Sequence, residues 1–300
     1  MLSDLQISRI DSWMNDNARS YDLAKWNFII NNGTKESIVN EMLKYQNADG
    51  GFGHGFECDI IAPVSTAIST AEAIFQAYDY ELDYKAEWFS KILSYFENSI
   101  MDIPKYWEDA PKEIYEYPHA PWWNYELCMK FSPNPCAIVA SAFILYGTEK
   151  QKELGEKIAK DCFKLLLSNE FCGDHDSLNI MTLIDKLISV NSPLITDEII
   201  TAMKRRILEN VCFDSNLWHE YRFAPLDFVD SPNSTWYDCV KSGIELNFKY
   251  WIDNINEQGV WNPNFSWGID SDISHQVTEY WKGYITSKRT RILKNFSLFK

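Results

Sequence analysis

The sequence predicts an all-α chain whose helices pair into a double-walled ring. Three observations carry that expectation. Apolar residues recur at helical spacing almost throughout, and strand-like alternation is hard to find. Two helices with almost no charge are each followed by an amphipathic one. Comparable glycine turns close comparable helices. The 300 residues are 46 % apolar, enough for a sizeable core. With no Gly/Ser linker in sight, residues 1–300 read as a single domain.

Taken in order, helices are expected over 4–15, 19–30 and 35–46, then 64–79 and 84–100. After a long connection come 135–147, 149–168, 176–190 and 196–210. Beyond a second long connection come 238–253 and 275–297. Together these make about eleven or twelve helices. VSTAISTAEAIFQAY (64–78) and CAIVASAFILYG (136–147) consist of small and aliphatic residues. Such helices must be buried nearly all round, their small residues allowing close approach. Their partners, 83–99 and 149–167, carry charge along one face, as outer helices would. Asn134-Pro135 is expected to cap the helix it opens, with Pro at the first helical position. Gly147 is expected to end that helix in the left-handed conformation. Thr196-Asp197-Glu198 starts another with acids near the positive end of its dipole.

QNADGGFG (46–53), NEFCGDHD (169–176) and NEQGVWNP (256–263) each open with an amide and hold a glycine a few residues on. Their unequal intervals make a weak repeat. Residues 101–134 and 211–237 form long connections rich in Pro, Tyr and Trp. Loops of that length in a compact domain are functional or act as lids.

QNADGGFG resembles the glutamine- and glycine-containing turn of the terpenoid cyclase and protein prenyltransferase superfamily. NEQGVW is similar to a degenerate second copy, with Trp261 at the aromatic position. The resemblance implies an (α/α)₆ toroid of inner and outer helices and a short, bacterial-type member. It carries over no catalytic residue. No DxDD string is present, GIDSDISH (268–275) having two acids in the nearest place. ECD (57–59) has the residue types of the prenyltransferase zinc site but not their order.

A net charge of −15 disfavours nucleic acid and anionic membrane surfaces. The basic residues of 282–294 read as a solvated outer face. No run approaches the length of a membrane span. Seven cysteines without CxxC spacing point to reduced thiols in a cytoplasmic protein. The opening MLSDLQISRIDSW lacks a signal-peptide pattern.

Four groups of residues carry candidate chemistry. His54, Glu57 and Asp59 follow the glycine turn and precede a buried helix, where a carboxyl beside an aromatic cavity could act as a general acid. The plainer alternative has Asp59 capping the loop and Glu57 or His54 pinning Gly50 and Gly51. His119 with Trp122 and Trp123 could stack a sugar ring or shelter a cation; alternatively the tryptophans only anchor a loop. Trp218, His219, Glu220 and Tyr221 precede Asp227, Asp230 and Trp236. His219-Glu220 is not HExxH, so metal binding is not expected there. Asp227 is a candidate second carboxylate opposite Glu57. Trp261, Trp267, Asp270, Asp272 and His275 read mainly as a structural turn and a helix cap. There is no GxSxG, Walker or dinucleotide fingerprint, and no cofactor is named.

The expected function is that of an enzyme resembling cyclases or prenyltransferases, acting on an isoprenoid or other apolar small molecule. Glu57, Asp59, His54, His119 and Asp227 would handle protons. Trp122, Trp123, Trp218, Tyr221 and Trp236 would line the cavity. An oligosaccharide-active enzyme with paired carboxylates, and a non-catalytic binding module, are the alternatives.

Overall fold

The computed structural model describes residues 1–101, 105–124, 131–168, 173–268 and 271–299. It is all-helical. Among the described residues extended pairing is limited to isolated bridges, Gln46–Phe52, Phe52–Thr66 and Ile60–His119. Two compact units emerge: Leu43–Ile207 is continuous, whereas the other combines Met1–Met42 with Leu208–Lys300.

The continuous unit contains α4 (Ala67–Asp79), α5 (Glu87–Asn98), α6 (Pro133–Tyr146), α7 (Glu149–Leu167), α8 (Asp174–Ser189) and nearly all of α9 (Asp197–Asn210). The uncharged α6 lies at its centre, packed on α4, α5, α7 and α8. From Cys136 to Phe143 every residue of α6 is buried. A side chain at Gly155 of α7 would stand 2.9 Å from the Ala140 carbonyl, so glycine lets the two helices close up. α5 buries Trp88, Phe89, Ile92, Leu93 and Phe96 and turns Lys91 outward, the one-sided pattern of an outer helix. Glu97 ties α5 to α7 through Lys150 Nζ (2.7 Å) and Gln151 Nε2 (2.8 Å).

Two expected helix ends differ. Asn134 does not cap α6; Ser132 does, and Asn134 sits non-helically inside the first turn before a cis bond to Pro135. A cap two residues earlier satisfies the Asn134 N–H, which donates to Ser132 Oγ at 3.1 Å. Gly147 is extended (φ −78°, ψ 170°), not left-handed. Its glycine is needed for space instead: a Cβ would lie 2.6 Å from the Phe143 carbonyl. Thr196 does cap α9, its Oγ1 accepting from Ile199 N at 3.3 Å.

The second unit contains α1 (Asp4–Asn17), α2 (Ser20–Ile29), α3 (Lys35–Met42), the short α10 (Pro225–Phe228), α11 (Tyr237–Asp253) and α12 (Asp272–Asn295). α12 lies on α1 and α2, and Leu2 N donates to Leu298 O at 3.2 Å. α2 is held by buried charge. Asp22 bonds Arg19 Nε at 2.7 Å and Lys25 Nζ at 2.8 Å. The Lys25 ammonium also lies over the rings of Tyr21 (4.6 Å) and Tyr284 (4.8 Å). Burial pushes the Asp22 carboxyl up, but the two cations outweigh it and hold it below its ordinary range.

Each unit contains one copy of the same turn. Asn47 N donates to Gly51 O (2.8 Å) and Gly50 N to Asn47 O (3.0 Å). Asn256 N donates to Val260 O (2.9 Å) and Gly259 N to Asn256 O (2.9 Å). Both glycines are left-handed, at φ +91° and +95°. Both lie against a helix backbone, Gly50 on Lys91 of α5 and Gly259 on Arg9 of α1. Two residues after each glycine comes a fully buried ring, Phe52 or Trp261. Residues 169–172 of the third echo lie outside the described residues.

Candidate functional site

The stretch from Gln46 to Thr66 folds as a wound loop because its side chains replace helix hydrogen bonds. Gln46 Nε2 donates to the Gly50 carbonyl (3.0 Å) and to Trp88 O at the start of α5 (2.9 Å). Asp49 Oδ1 accepts from Gly51 N (2.9 Å) and Ser65 Oγ (2.7 Å). Asn47 Nδ2 donates to Pro63 O (2.9 Å) and Ser65 Oγ (3.0 Å). Gln46 and Asp49 thus hold Gly50 and Gly51 directly.

Because the Pro63 carbonyl can only accept, it fixes the Asn47 amide with its oxygen toward His54. His54 Nε2 then donates to Asn47 Oδ1 at 2.9 Å, which sets the tautomer of this exposed ring. His54 is itself left-handed, at φ +58°.

The loop end pairs with a distant segment. Ile60 bridges His119, Ile61 N donates to Pro118 O (3.1 Å), and Ala120 N donates to Asp59 O (2.9 Å). Ile60, Ala62, Ala110 and Ile114 form a small apolar floor, with Trp123 and Val64 packed on it. The segment bearing Glu57 and Asp59 is thus joined to the one bearing His119, Trp122 and Trp123 in one arch. Glu57 Oε1 lies 3.4 Å from Asp59 N, and Asp59 is 2 % exposed.

His119 is held at both nitrogens. Nδ1 donates to the Tyr117 carbonyl at 2.8 Å, and Nε2 lies 3.2 Å from Asn124 Oδ1. Around this ring the aromatics are open to water: Tyr115 is 48 % exposed, Tyr117 37 % and Trp122 39 %. Tyr115 meets the His119 ring edge-on at 5.4 Å. The Trp123 indole N–H is buried and has no hydrogen-bond partner among the described residues.

The other candidates lie in the second unit and are committed locally. Asp227 Oδ2 accepts from Ala224 N at 2.8 Å, closing the first turn of α10. Trp218 is buried, donates to Cys212 O at 2.8 Å and packs on Tyr250. Trp236 is fully buried. Tyr221 is exposed and contacts Phe223 and Phe265. Trp261 donates to Trp251 O at 2.7 Å, the structural role expected of it. Ser271 caps α12 with Ser274, Asp272 lies in the first turn, and Asp270 is outside the described residues.

The sequence reading did not single out Gln46, Asn47 and Asp49, though all three lie in the stretch it quoted. It also missed Tyr115 and Tyr117, where aromatic density in a long loop was the available signal. Among the described residues, no group of three His, Cys, Asp or Glu could hold a metal ion. An open depression of about 480 Å³ lies elsewhere, lined by Phe163, Leu167, Leu194 and Ile199 with Lys160 and Lys164. None of the candidate residues lines it. No helix among the described residues is long and apolar enough to cross a membrane. No protein-family model, curated protein or solved structure matches the chain.

Proposed function

We propose that this chain is a carbohydrate-active enzyme of the helical-toroid class, and that the arch is its active site. The observation that supports the reading is the Ile60–His119 pairing, which joins the segment carrying Glu57 and Asp59 to the one carrying solvent-open aromatic rings. Trp122 and Tyr115 offer flat apolar faces to a sugar ring. Glu57 or Asp59 donates a proton to the leaving oxygen while the other carboxylate or His119 acts opposite it. Three features support the toroid: the uncharged and amphipathic helix pairs, the duplicated turn, and the hydrogen bond between the first and last described segments.

A second reading keeps the isoprenoid ligand, and the duplicated turn favours it through its resemblance to cyclases and prenyltransferases. There Glu57 or Asp59 protonates the substrate, and Trp122 and Trp123 shelter positive charge. Open aromatic faces argue against it at the arch, because cation chemistry requires that water be kept out.

The test is a tryptophan-fluorescence titration with maltotriose, cellotriose, xylotriose and chitotriose beside farnesol and farnesyl diphosphate. Binding of a trisaccharide, lost in Trp122→Ala, supports the first reading; binding of the isoprenoids alone overturns it. Glu57→Gln and Asp59→Asn that keep trisaccharide affinity but lose hydrolysis mark an enzyme. A wild-type chain that binds and never turns over is a binding module.

A further inference from the structure

The sequence contains a single Asn-Gly pair, Asn32-Gly33, in the turn between α2 and α3. An asparagine followed by glycine is chemically vulnerable. The glycine amide nitrogen can reach the asparagine side-chain carbonyl carbon, and no Cβ shields that nitrogen or restricts its backbone. A fold blocks the attack by holding the N–H in a hydrogen bond or by tying down the side chain. Neither block is present here. Asn31 N and Asn32 N donate to Phe28 O (3.1 Å) and Asn27 O (2.7 Å), but the Gly33 N–H has no acceptor among the described residues. Asn32 is exposed, and its side-chain amide makes no hydrogen bond among them either.

Related pairs are closed. Asp49-Gly50 could form the same ring, yet Gly50 N donates to Asn47 O at 3.0 Å, and Asp49 Oδ1 accepts from Gly51 N and Ser65 Oγ. The three Asn-Ser pairs also have the attacking nitrogen engaged. Ser99 N donates to Tyr95 O (2.9 Å), Ser192 N to Leu187 O (3.0 Å) and Ser234 N to Ser231 O (3.2 Å). Around Asn32 the turn is held while the pair itself stays open. Lys294 Nζ donates to Asn31 Oδ1 at 2.9 Å, and Thr34 Oγ1 accepts from Ser37 N at 3.1 Å as α3 begins.

We propose that Asn32 is a site of spontaneous modification, converting to aspartate and isoaspartate in the folded protein. The Gly33 nitrogen gives its proton to water and bonds to Asn32 Cγ. The Cγ–Nδ2 bond breaks, and the side-chain nitrogen leaves as ammonia. Water then opens the five-membered imide. Cleavage between the Gly33 nitrogen and Cγ gives aspartate. Cleavage between that nitrogen and the main-chain carbonyl carbon gives isoaspartate, its backbone rerouted through Cγ. One water is consumed and one ammonia released, and nothing is oxidised or reduced. Either product adds a negative charge next to the residue that Lys294 holds. Isoaspartate also lengthens the backbone where Gly33 packs on α2, a site so close that a Cβ would stand 3.0 Å from Asn27 Cβ.

The experiment ages the wild-type protein for days in mildly alkaline buffer made with heavy-oxygen water, both folded and in urea. Peptides are then mapped by mass spectrometry with electron-transfer fragmentation, which separates aspartate from isoaspartate. In the folded protein Asn32 should take up heavy oxygen and yield both products at least tenfold faster than Asn98, Asn191 or Asn233, with no isoaspartate at Asp49. Urea should speed those closed pairs at least fivefold yet change Asn32 less than threefold. A larger acceleration at Asn32 overturns the proposal, because the turn would then be protecting it. An Asn32 no faster than the Asn-Ser pairs in the folded protein overturns it as well.

Discussion

Gly50 combines two constraints that Gly53 and Gly268 carry singly, and alanine substitutions can separate them. At Gly50 the backbone is left-handed (φ +91°), and an added Cβ would lie 2.3 Å from the Lys91 carbonyl of α5. Gly53 has no positive φ, but its Cβ would lie 2.4 Å from the Pro63 and Val64 carbonyls. Gly268 is left-handed (φ +73°) with nothing within 4 Å. A left-handed alanine costs about 1–2 kcal/mol. Overpacking against fixed backbone costs about 1–3 kcal/mol. Alanine returns about 0.4–1 kcal/mol by stiffening the unfolded chain. Gly268→Ala should therefore cost about 0.8 kcal/mol, Gly53→Ala about 1.3 and Gly50→Ala about 3. In a unit the size of Leu43–Ile207, the last lowers Tm by roughly 6–12 °C. Urea unfolding followed by far-UV circular dichroism measures the order. If Gly50→Ala proves no worse than Gly268→Ala, the packing of this turn on α5 is not what holds it.

Three further outcomes are expected. Asp22→Asn removes the carboxylate shared by Arg19 and Lys25 and should cost about 3–5 kcal/mol at neutral pH. Because the folded Asp22 carboxyl lies below its ordinary 3.8, its contribution is complete above that value and is lost as pH falls through the folded one. The gap between wild type and Asp22→Asn in acid titrations should thus close below that pH; a gap constant with pH refutes the ion cluster. Burial pushes the Cys136 thiol far up, and Cys58, Cys136 and Cys162 are buried, whereas Cys212 and Cys239 are half-buried. Brief alkylation of the native protein followed by peptide mapping should therefore label Cys212 and Cys239 and spare those three. Trp122→Ala should shift Tm by less than about 2 °C, given its exposure, while removing trisaccharide binding; a large loss of Tm instead makes Trp122 a core anchor.

The helices were legible because each buries a face with the period of its own backbone. α6 could be read from composition alone, since a helix without charge has to be surrounded. Its start was misplaced for a local reason: Asn-Pro reads as a cap, and nothing nearby in the sequence reports a cis bond with Ser132 taking over. α10, four residues long, is shorter than any periodicity can register. The duplicated turn was visible because a left-handed glycine three residues after an asparagine is a local demand. The arch was only half visible. His54, Glu57 and Asp59 stood out as neighbours, as did His119 and the tryptophans. Their meeting depends on a pairing between residues 60 and 119 that no local pattern encodes.

The unit holding α1 to α3 and α10 to α12 is assembled from two stretches separated by the whole of the other. During synthesis α1 and α2 leave the ribosome long before α12, the helix on which they rest. Until residue 298 emerges, the Leu2 amide lacks its acceptor, and the buried charges of α2 lack the Tyr284 ring. The intervening stretch has its own partners close at hand and can settle first. The early helices must therefore wait, apolar faces uncovered, which makes them the segment most exposed to chaperones and proteases in a newborn chain.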